Sequence, residues 1–138
     1  MMKISRSENL VARAFAVFAL LGPLTCGVAF ASAPACYPNG GSSYCSYSGR
    51  VAQVYVNYAG EVILYFDTPM DPTAPSSVGI SGVSVFNATL FRLSDAPDAG
   101  KAMFAALVAA QARGATVSVS MMGVISGYMK MDRVWVNE

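Results

Sequence analysis

Two segments after residue 50 carry the alternating pattern of β-strands. Residues 51–58 are rich in valine and tyrosine, and residues 61–67 alternate Val, Leu and Phe with Glu, Ile and Tyr. The two-residue connection Ala59-Gly60 between them is typical of a tight turn. The sequence therefore predicts a β-hairpin at this point of the chain.

Three more strands are expected further along. Residues 83–93 form a third strand candidate, after the Pro- and Gly-rich loop 68–82. Residues 115–121, with the sequence ATVSVSM, alternate most cleanly: valine and methionine lie on one face, threonine and serine on the other. A glycine-containing turn then precedes a last strand over about residues 128–136.

The segment KAMFAALVAAQARG, residues 101–114, predicts a single helix. Asp95 is the expected N-cap, Pro97 lies in the first turn, and Gly114 is the expected C-cap. Its large residues form a stripe that we expect to close one end of the core: Met103, Phe104, Leu107 and Val108. Its small residues predict close packing against a second copy or another chain: Ala102, Ala105, Ala106 and Ala109. The alternative is that alanine favours the helix and tolerates exposure to water.

The resulting order is strand, strand, strand, helix, strand, strand. One helix cannot cover five short strands as a flat sheet, whereas a closed or partly closed barrel removes the exposed edges. The predicted fold is therefore mainly β with one helix, as a five-stranded barrel of the oligomer-binding (OB) type. A small α+β sandwich with the same element order is the alternative.

The first 31 residues predict a secretory signal peptide. Three basic residues precede an apolar run that ends in small residues. Cleavage after Ala31 or after residue 33 fits the small-residue pattern, and we favour Ala31 because the other site would leave a leading proline. An uncleaved anchor is the alternative, but Gly22-Pro23 interrupts a run of marginal length. We therefore expect a secreted or periplasmic protein with no stable membrane anchor after cleavage.

Residues 32–49 are rich in Ser, Gly, Pro and Tyr and predict an ordered N-terminal segment ahead of a barrel domain over residues 50–138. Removal of the signal peptide would leave two cysteines, Cys36 and Cys45. An even number of cysteines in an exported chain predicts a disulfide. We expect this bond to hold the N-terminal segment in place.

Composition excludes several kinds of chemistry. The chain has no histidine, which rules out Ser-His-Asp and Cys-His catalysis and most zinc sites. Six of the nine basic and seven of the eight acidic residues lie after residue 31, so the mature charge is near neutral and no nucleic-acid partner is expected. We expect no enzyme activity, metal or cofactor. A hydrolase using Asp67 and Asp71 is the one catalytic alternative.

Tyrosine, serine and asparagine are concentrated in the N-terminal segment. These residue types offer flat contact area and hydrogen bonds at low entropic cost, as binding surfaces for sugars and proteins require. Tyrosines can equally pack on the barrel with their hydroxyls in water. The candidate ligand-binding residues are Tyr44, Tyr47 and Ser48.

With the strand order in place, the chain resembles a known family. The segment KAMFAALVAAQARGATVSVS is similar to the helix-and-strand segment of B subunits of secreted bacterial five-B toxins, the subtilase-cytotoxin and pertussis-like group, and of related small secreted OB-fold proteins. YSGRV, residues 47–51, resembles the segment before their first strand, and MDRVWV resembles their closing strand. The resemblance implies a role for Ser48 in binding sialic-acid-type glycans. One difference is that those subunits join two barrel strands by a disulfide, whereas Cys36 and Cys45 precede the first predicted strand.

The function expected from the sequence is a secreted, non-enzymatic binding protein that recognises a cell-surface glycan as a homo-oligomer. The alternative is a periplasmic or extracellular interaction or inhibitor subunit that binds a protein and has no sugar site. Both would use the same β-rich domain.

Overall fold

The computed structural model of the protein describes residues 31–137. Seven strands and two helices follow in chain order: β1 (Ser32–Tyr37), β2 (Tyr44–Arg50), β3 (Gln53–Val56), β4 (Glu61–Tyr65), α1 (Ala74–Ser77), β5 (Val85–Arg92), α2 (Pro97–Arg113), β6 (Thr116–Ile125) and β7 (Tyr128–Asn137). The strands form one sheet in the order β1-β2-β6-β7-β5-β4-β3. Neighbouring strands are antiparallel except for the parallel pair β5 and β7.

The mainly β class, the five predicted strands and the predicted helix are confirmed, but the prediction of a closed barrel of five strands with one helix was wrong. The structure has seven strands in an open sheet and a second, short helix. The difference lies in residues 32–49, which form the hairpin β1–β2 in place of a lead-in. Their outward side chains are mostly serine, alanine and tyrosine, so composition indicated a loop although the strand period was present.

The sheet curls because its two ends are joined through the chain. Only two residues, Val51 and Ala52, separate β2 from β3, although β2 pairs with β6 and β3 pairs with β4 at the opposite end of the strand order. The Tyr47 hydroxyl lies 3.1 Å from Asp67 Oδ2 and accepts a hydrogen bond from the Asp67 amide at 3.2 Å. The Tyr47 ring also packs on Phe66, with ring centroids 4.7 Å apart. Residues from both ends of the sheet therefore share one core.

That core is lined by alternate residues of the strands and by one face of α2. Its fully buried members include Val62, Leu64, Leu107, Val117, Val119, Met121, Met129 and Met131. Burial of each aliphatic side chain of this size contributes about 1.5–3 kcal/mol of transfer free energy, which makes this core the main stabilising feature of the fold.

Helix α2 faces the core with three of the four residues of the predicted stripe. Leu107 is buried together with Gly100 and Ala110, and Met103 and Phe104 are half-buried against the core. Val108 was wrongly assigned to the buried face and is 43% exposed, because one residue of helix turns it about 100° away from Leu107.

The sequence predicted the C-terminal cap of α2 correctly and its N-terminal cap incorrectly. Gly114 is confirmed as the C-cap, with a left-handed φ of 63°. Asp95 was a wrong assignment for the N-cap, since Ala96 occupies that position and makes no side-chain cap bond. The Asp95 carboxylate instead lies 3.3 Å from the Lys130 ammonium.

Candidate ligand groove on the outer face of the sheet

The outer face of β2 and β6 is built from serines. Residues alternate across a strand, so Cys45 and Tyr47 point into the core while Ser46 and Ser48 point outward. The first half of β6 repeats this arrangement: Val117 and Val119 are buried, and Ser118 and Ser120 lie on the outer face. The alternation predicted for residues 115–121 is therefore confirmed.

Strand pairing gathers these serines into two rows across the sheet. Ser46 pairs with Ser120, which pairs with Arg133 on β7. In the next row, the pairs run from Ser32 through Ser48 and Ser118 to Trp135. Together the rows form what we call the serine floor, consisting of Ser32, Ser46, Ser48, Ser118 and Ser120. Each hydroxyl can donate one hydrogen bond and accept two.

Two contacts within the protein involve the second row of the serine floor, which contains Ser48 and Ser118. The Ser48 and Ser118 hydroxyls lie 3.4 Å apart. The side-chain amide of Asn137 donates a hydrogen bond of 2.9 Å to the Ser118 hydroxyl. The Asn137 bond fixes the Ser118 hydroxyl before any ligand arrives, which lowers the entropic cost of binding.

Aromatic side chains border the serine floor on two sides. Tyr37 and Tyr44 face each other across β1 and β2, with ring centroids 5.4 Å apart, and Tyr37 is 44% exposed. Trp135 borders the floor from β7 and is 49% exposed. The serine floor and its aromatic borders form an open groove with a volume of about 420 Å³, which is within the size range of small-molecule sites. We call it the serine groove.

The serine groove has one charged lining residue among those that the structure describes, Arg133. Its Nε lies 2.9 Å from the carboxylate of Asp132, which does not line the groove. Guanidinium groups suit carboxylates and phosphates because their donors form a planar fork. The groove therefore offers hydroxyls, aromatic faces and one cation.

The structure brings all three predicted ligand residues to the serine groove, but one of them is turned inward. Tyr44, Tyr47 and Ser48 all line the groove, whereas Tyr47 is only 2% exposed and its ring lies on the core side of the sheet. Burial is the main reason that the pKa of Tyr47 rises to about 12, and the nearby Asp67 carboxylate adds to the rise through its charge. Tyr47 supports the groove from beneath and does not present its hydroxyl to a ligand.

The sequence pointed to the N-terminal side of the groove and not to the side formed by β6 and β7. Tyr37 and Ser46 belong to the Tyr- and Ser-rich segment that was predicted as a binding surface, whereas Ser118, Ser120, Arg133 and Trp135 were not singled out. The polar face of the ATVSVSM alternation was a signal for Ser118 and Ser120. No local pattern indicated that β7 would bring Arg133 and Trp135 to the same surface.

The predicted disulfide is confirmed and belongs to the groove's framework. Cys36 and Cys45 are directly opposite each other on β1 and β2, and Cys45 is fully buried. The next pair along the two strands is Tyr37 and Tyr44. The bond therefore fixes the register that sets these two rings side by side.

The remaining sequence candidates lie elsewhere. Asp67 is held by Tyr47 and by the Arg50 amide, and Asp71 accepts bonds from the amide and hydroxyl of Thr73 that lower the pKa of its carboxyl. Both carboxylates therefore serve local structure.

The predicted interface alanines of α2 remain accessible: Ala102, Ala105 and Ala109 are exposed, and Ala106 is half-buried.

Within residues 31–137, no group of three or more His, Cys, Asp or Glu side chains is arranged to hold a metal ion. Over the same range, no helix combines the length and the apolar character needed to cross a bilayer. The signal-peptide prediction falls almost entirely on residues outside the described range.

Comparisons with protein-family models, with curated proteins and with solved structures find no match to this chain.

Proposed function

We propose that the protein is an exported, non-enzymatic glycan-binding protein whose ligand occupies the serine groove. The observation that carries the proposal is the serine floor itself, with five aligned hydroxyls bordered by Tyr37, Tyr44 and Trp135. A polyhydroxylated ligand can exchange donor and acceptor bonds with such a floor. The aromatic faces can cover the apolar side of a sugar ring.

The position of the groove within the sheet favours a sugar over an extended peptide. Strands β2 and β6 are both internal, so their backbone groups already pair with neighbouring strands. A peptide that binds by strand addition needs a free sheet edge. The floor also lacks the deep apolar pockets that hold peptide side chains, since serines occupy its centre.

The element order supports the same proposal. From β3 onward the chain runs through three strands, α2 and two strands, as predicted, apart from the short helix α1 between β4 and β5. Only two residues separate β2 from β3. We infer an OB-like arrangement extended by the hairpin β1–β2, and OB folds include oligosaccharide binders. The resemblance to toxin B subunits implies a glycan ligand as well. The disulfide and the leader pattern support export.

The chain's one tryptophan provides a direct test of the proposal. Trp135 lies in the serine groove, so a bound glycan should change its fluorescence. A glycan array that includes sialylated and neutral oligosaccharides would identify binders, and fluorescence titration would measure their affinity. Because two hydroxyls of the floor are removed, Ser46→Ala with Ser120→Ala should weaken binding about three- to tenfold.

A matched control separates loss of the groove from general damage. Tyr58 is fully exposed at the β3–β4 turn, outside the groove, and Tyr58→Ala should leave glycan affinity unchanged. Absence of any array signal together with a flat fluorescence titration would overturn the proposal. The interaction-protein alternative would then remain, with the exposed side chains of Tyr55, Val56 and Tyr58 as its candidate surface.

A further inference from the structure

A second depression adjoins the serine groove. It lies between the β1–β2 turn, the loop after α1 and the distal part of β6, and has a volume of about 550 Å³. Met122 lines both depressions, so they meet at this side chain. We call the second depression the loop cavity.

We infer that the serine groove and the loop cavity form one continuous cleft, and that the ligand is an oligosaccharide spanning both, not a single sugar. This inference rests on the proposed function and adds the length of the ligand to it. The cleft follows β6 from Ser118 to Val124. At about 3.3 Å per residue this path is roughly 20 Å long, several times the width of one sugar ring.

A β-bulge in β6 lies where the two depressions meet. Met121 pairs with Met131 and Val124 pairs with Met129, so β6 has one residue more than β7 over this interval. Gly123 takes a left-handed φ of 77°, and a side chain added there would meet no atom within 4 Å. A bulge bends its strand and redirects the side chains beside it. The backbone at Gly123 is therefore open to an approaching ligand.

The loop cavity shares serine hydroxyls with the serine groove, but its described lining residues include Val78, Ile80 and Val124 and no aromatic ring. Its hydroxyl-bearing lining residues are Ser42, Ser43 and Ser81, beside glycines that leave backbone groups accessible. The Ser43 hydroxyl donates a 2.6 Å hydrogen bond to the Val78 carbonyl, which ties the two bordering loops together. An open extension that carries hydroxyls and accessible backbone groups fits further sugar units.

Charge distinguishes the two parts of the cleft. Arg133 is the only charged side chain among the lining residues of either depression that the structure describes, and it belongs to the serine groove. An acidic sugar unit is therefore expected in the serine groove, with neutral units in the loop cavity.

Affinity measured against chain length tests this inference. The probes are N-acetyllactosamine and its two- and three-repeat oligomers, each with and without a terminal sialic acid, titrated against Trp135 fluorescence. Affinity should rise at least tenfold from the shortest to the longest member of the series that binds. Ser42→Ala with Ser81→Ala should weaken the longest probe about three- to tenfold and leave the shortest unchanged.

The control variant is Ser76→Ala with Ser94→Ala, two exposed serines outside both depressions, which should alter no affinity. Equal affinity for all lengths, or no effect of Ser42→Ala with Ser81→Ala on the longest probe, would overturn the elongated site while leaving the proposed function intact. If no probe changes the fluorescence and the array is also blank, the proposed function fails instead, and the elongated site fails with it.

Discussion

Tyr47 is the residue that connects the two ends of the sheet. Its hydroxyl is bonded to the Asp67 carboxylate and amide, and the Arg50 amide donates to the same carboxylate at 3.1 Å. The ring lies over Gly49, where even a methyl group would collide with it. Position 49 therefore requires glycine so that the Tyr47 ring can lie flat against its own strand.

Replacing Tyr47 with phenylalanine should lower the free energy of unfolding by about 1–2 kcal/mol, because the hydroxyl's part-buried hydrogen bonds with the Asp67 amide and carboxylate are lost. Urea unfolding followed by circular dichroism would measure the difference. Tyr58→Phe is the matched control, since the Tyr58 side chain is fully exposed, and it should unfold like the wild type. Equal stability of Tyr47→Phe and wild type would show that this hydroxyl does not hold the sheet ends.

The raised pKa of Tyr47 also predicts a pH dependence. A pKa of about 12 in the folded state, against about 10 in the unfolded chain, means that the folded state holds this proton more tightly. The associated stability is fully present below about pH 10 and is lost as the pH rises through 12. The advantage of wild type over Tyr47→Phe should therefore shrink between about pH 9 and about pH 11.5. A constant advantage over that range would contradict the assignment.

The element on which the serine groove most depends is β1. It is an edge strand whose single strand neighbour is β2, and it supplies Tyr37 to the groove. The Cys36–Cys45 bond lies in the middle of this contact. Short edge strands have few backbone partners, so we infer that the covalent link is what keeps β1 in register.

Removing the disulfide with Cys36→Ala and Cys45→Ala should lower the free energy of unfolding by about 2–3 kcal/mol. The Tyr37–Tyr44 border should loosen at the same time, with a loss of glycan affinity in the Trp135 titration. Thermal unfolding with and without a reducing agent provides the check: reduction should destabilise wild type and leave the double variant unchanged. An identical melting temperature for both oxidised proteins would contradict the structural role of the bond.

At the scale of the whole molecule, the accessible face of α2 bears on assembly. Ala102, Ala105 and Ala109 are exposed beside the half-exposed Val108, so one chain alone leaves an apolar helix face in water. Charged residues usually occupy such positions on an isolated surface helix. The prediction that this face contacts another copy of the chain follows from that composition.

Ala105→Glu with Ala109→Glu should dissociate a wild-type oligomer, because two carboxylates per copy would have to be buried without partners. Light scattering gives the assembly mass, and circular dichroism should show an unchanged fold since both sites are exposed. Ser76→Glu with Ser94→Glu adds the same charge elsewhere and should leave the mass unchanged. A wild-type protein that is monomeric by light scattering would contradict this prediction.

Short stretches of sequence were enough to predict the properties that depend on neighbouring residues along the chain. Alternation identified the β4 and β6 strands and their buried faces, and the αL-favouring Gly114 marked the end of α2. The two cysteines that follow residue 31 predicted the pairing of Cys36 with Cys45. These features follow from strand period, backbone conformation and composition, all of which are present in short windows of sequence.

Only the tertiary structure decided which faces meet. Ser46 and Ser120 lie far apart in the chain and become neighbours because β2 pairs with β6, and Arg133 joins them through β7. The alternation along a strand predicts which side chains point outward. Which strand it pairs with, and in which register, depends on the packing of the whole core. For the same reason Tyr47 and Ser48, adjacent in sequence, serve different roles. The sequence alone determined the β-rich class and the chemistry available, and long-range pairing determined where that chemistry forms a site.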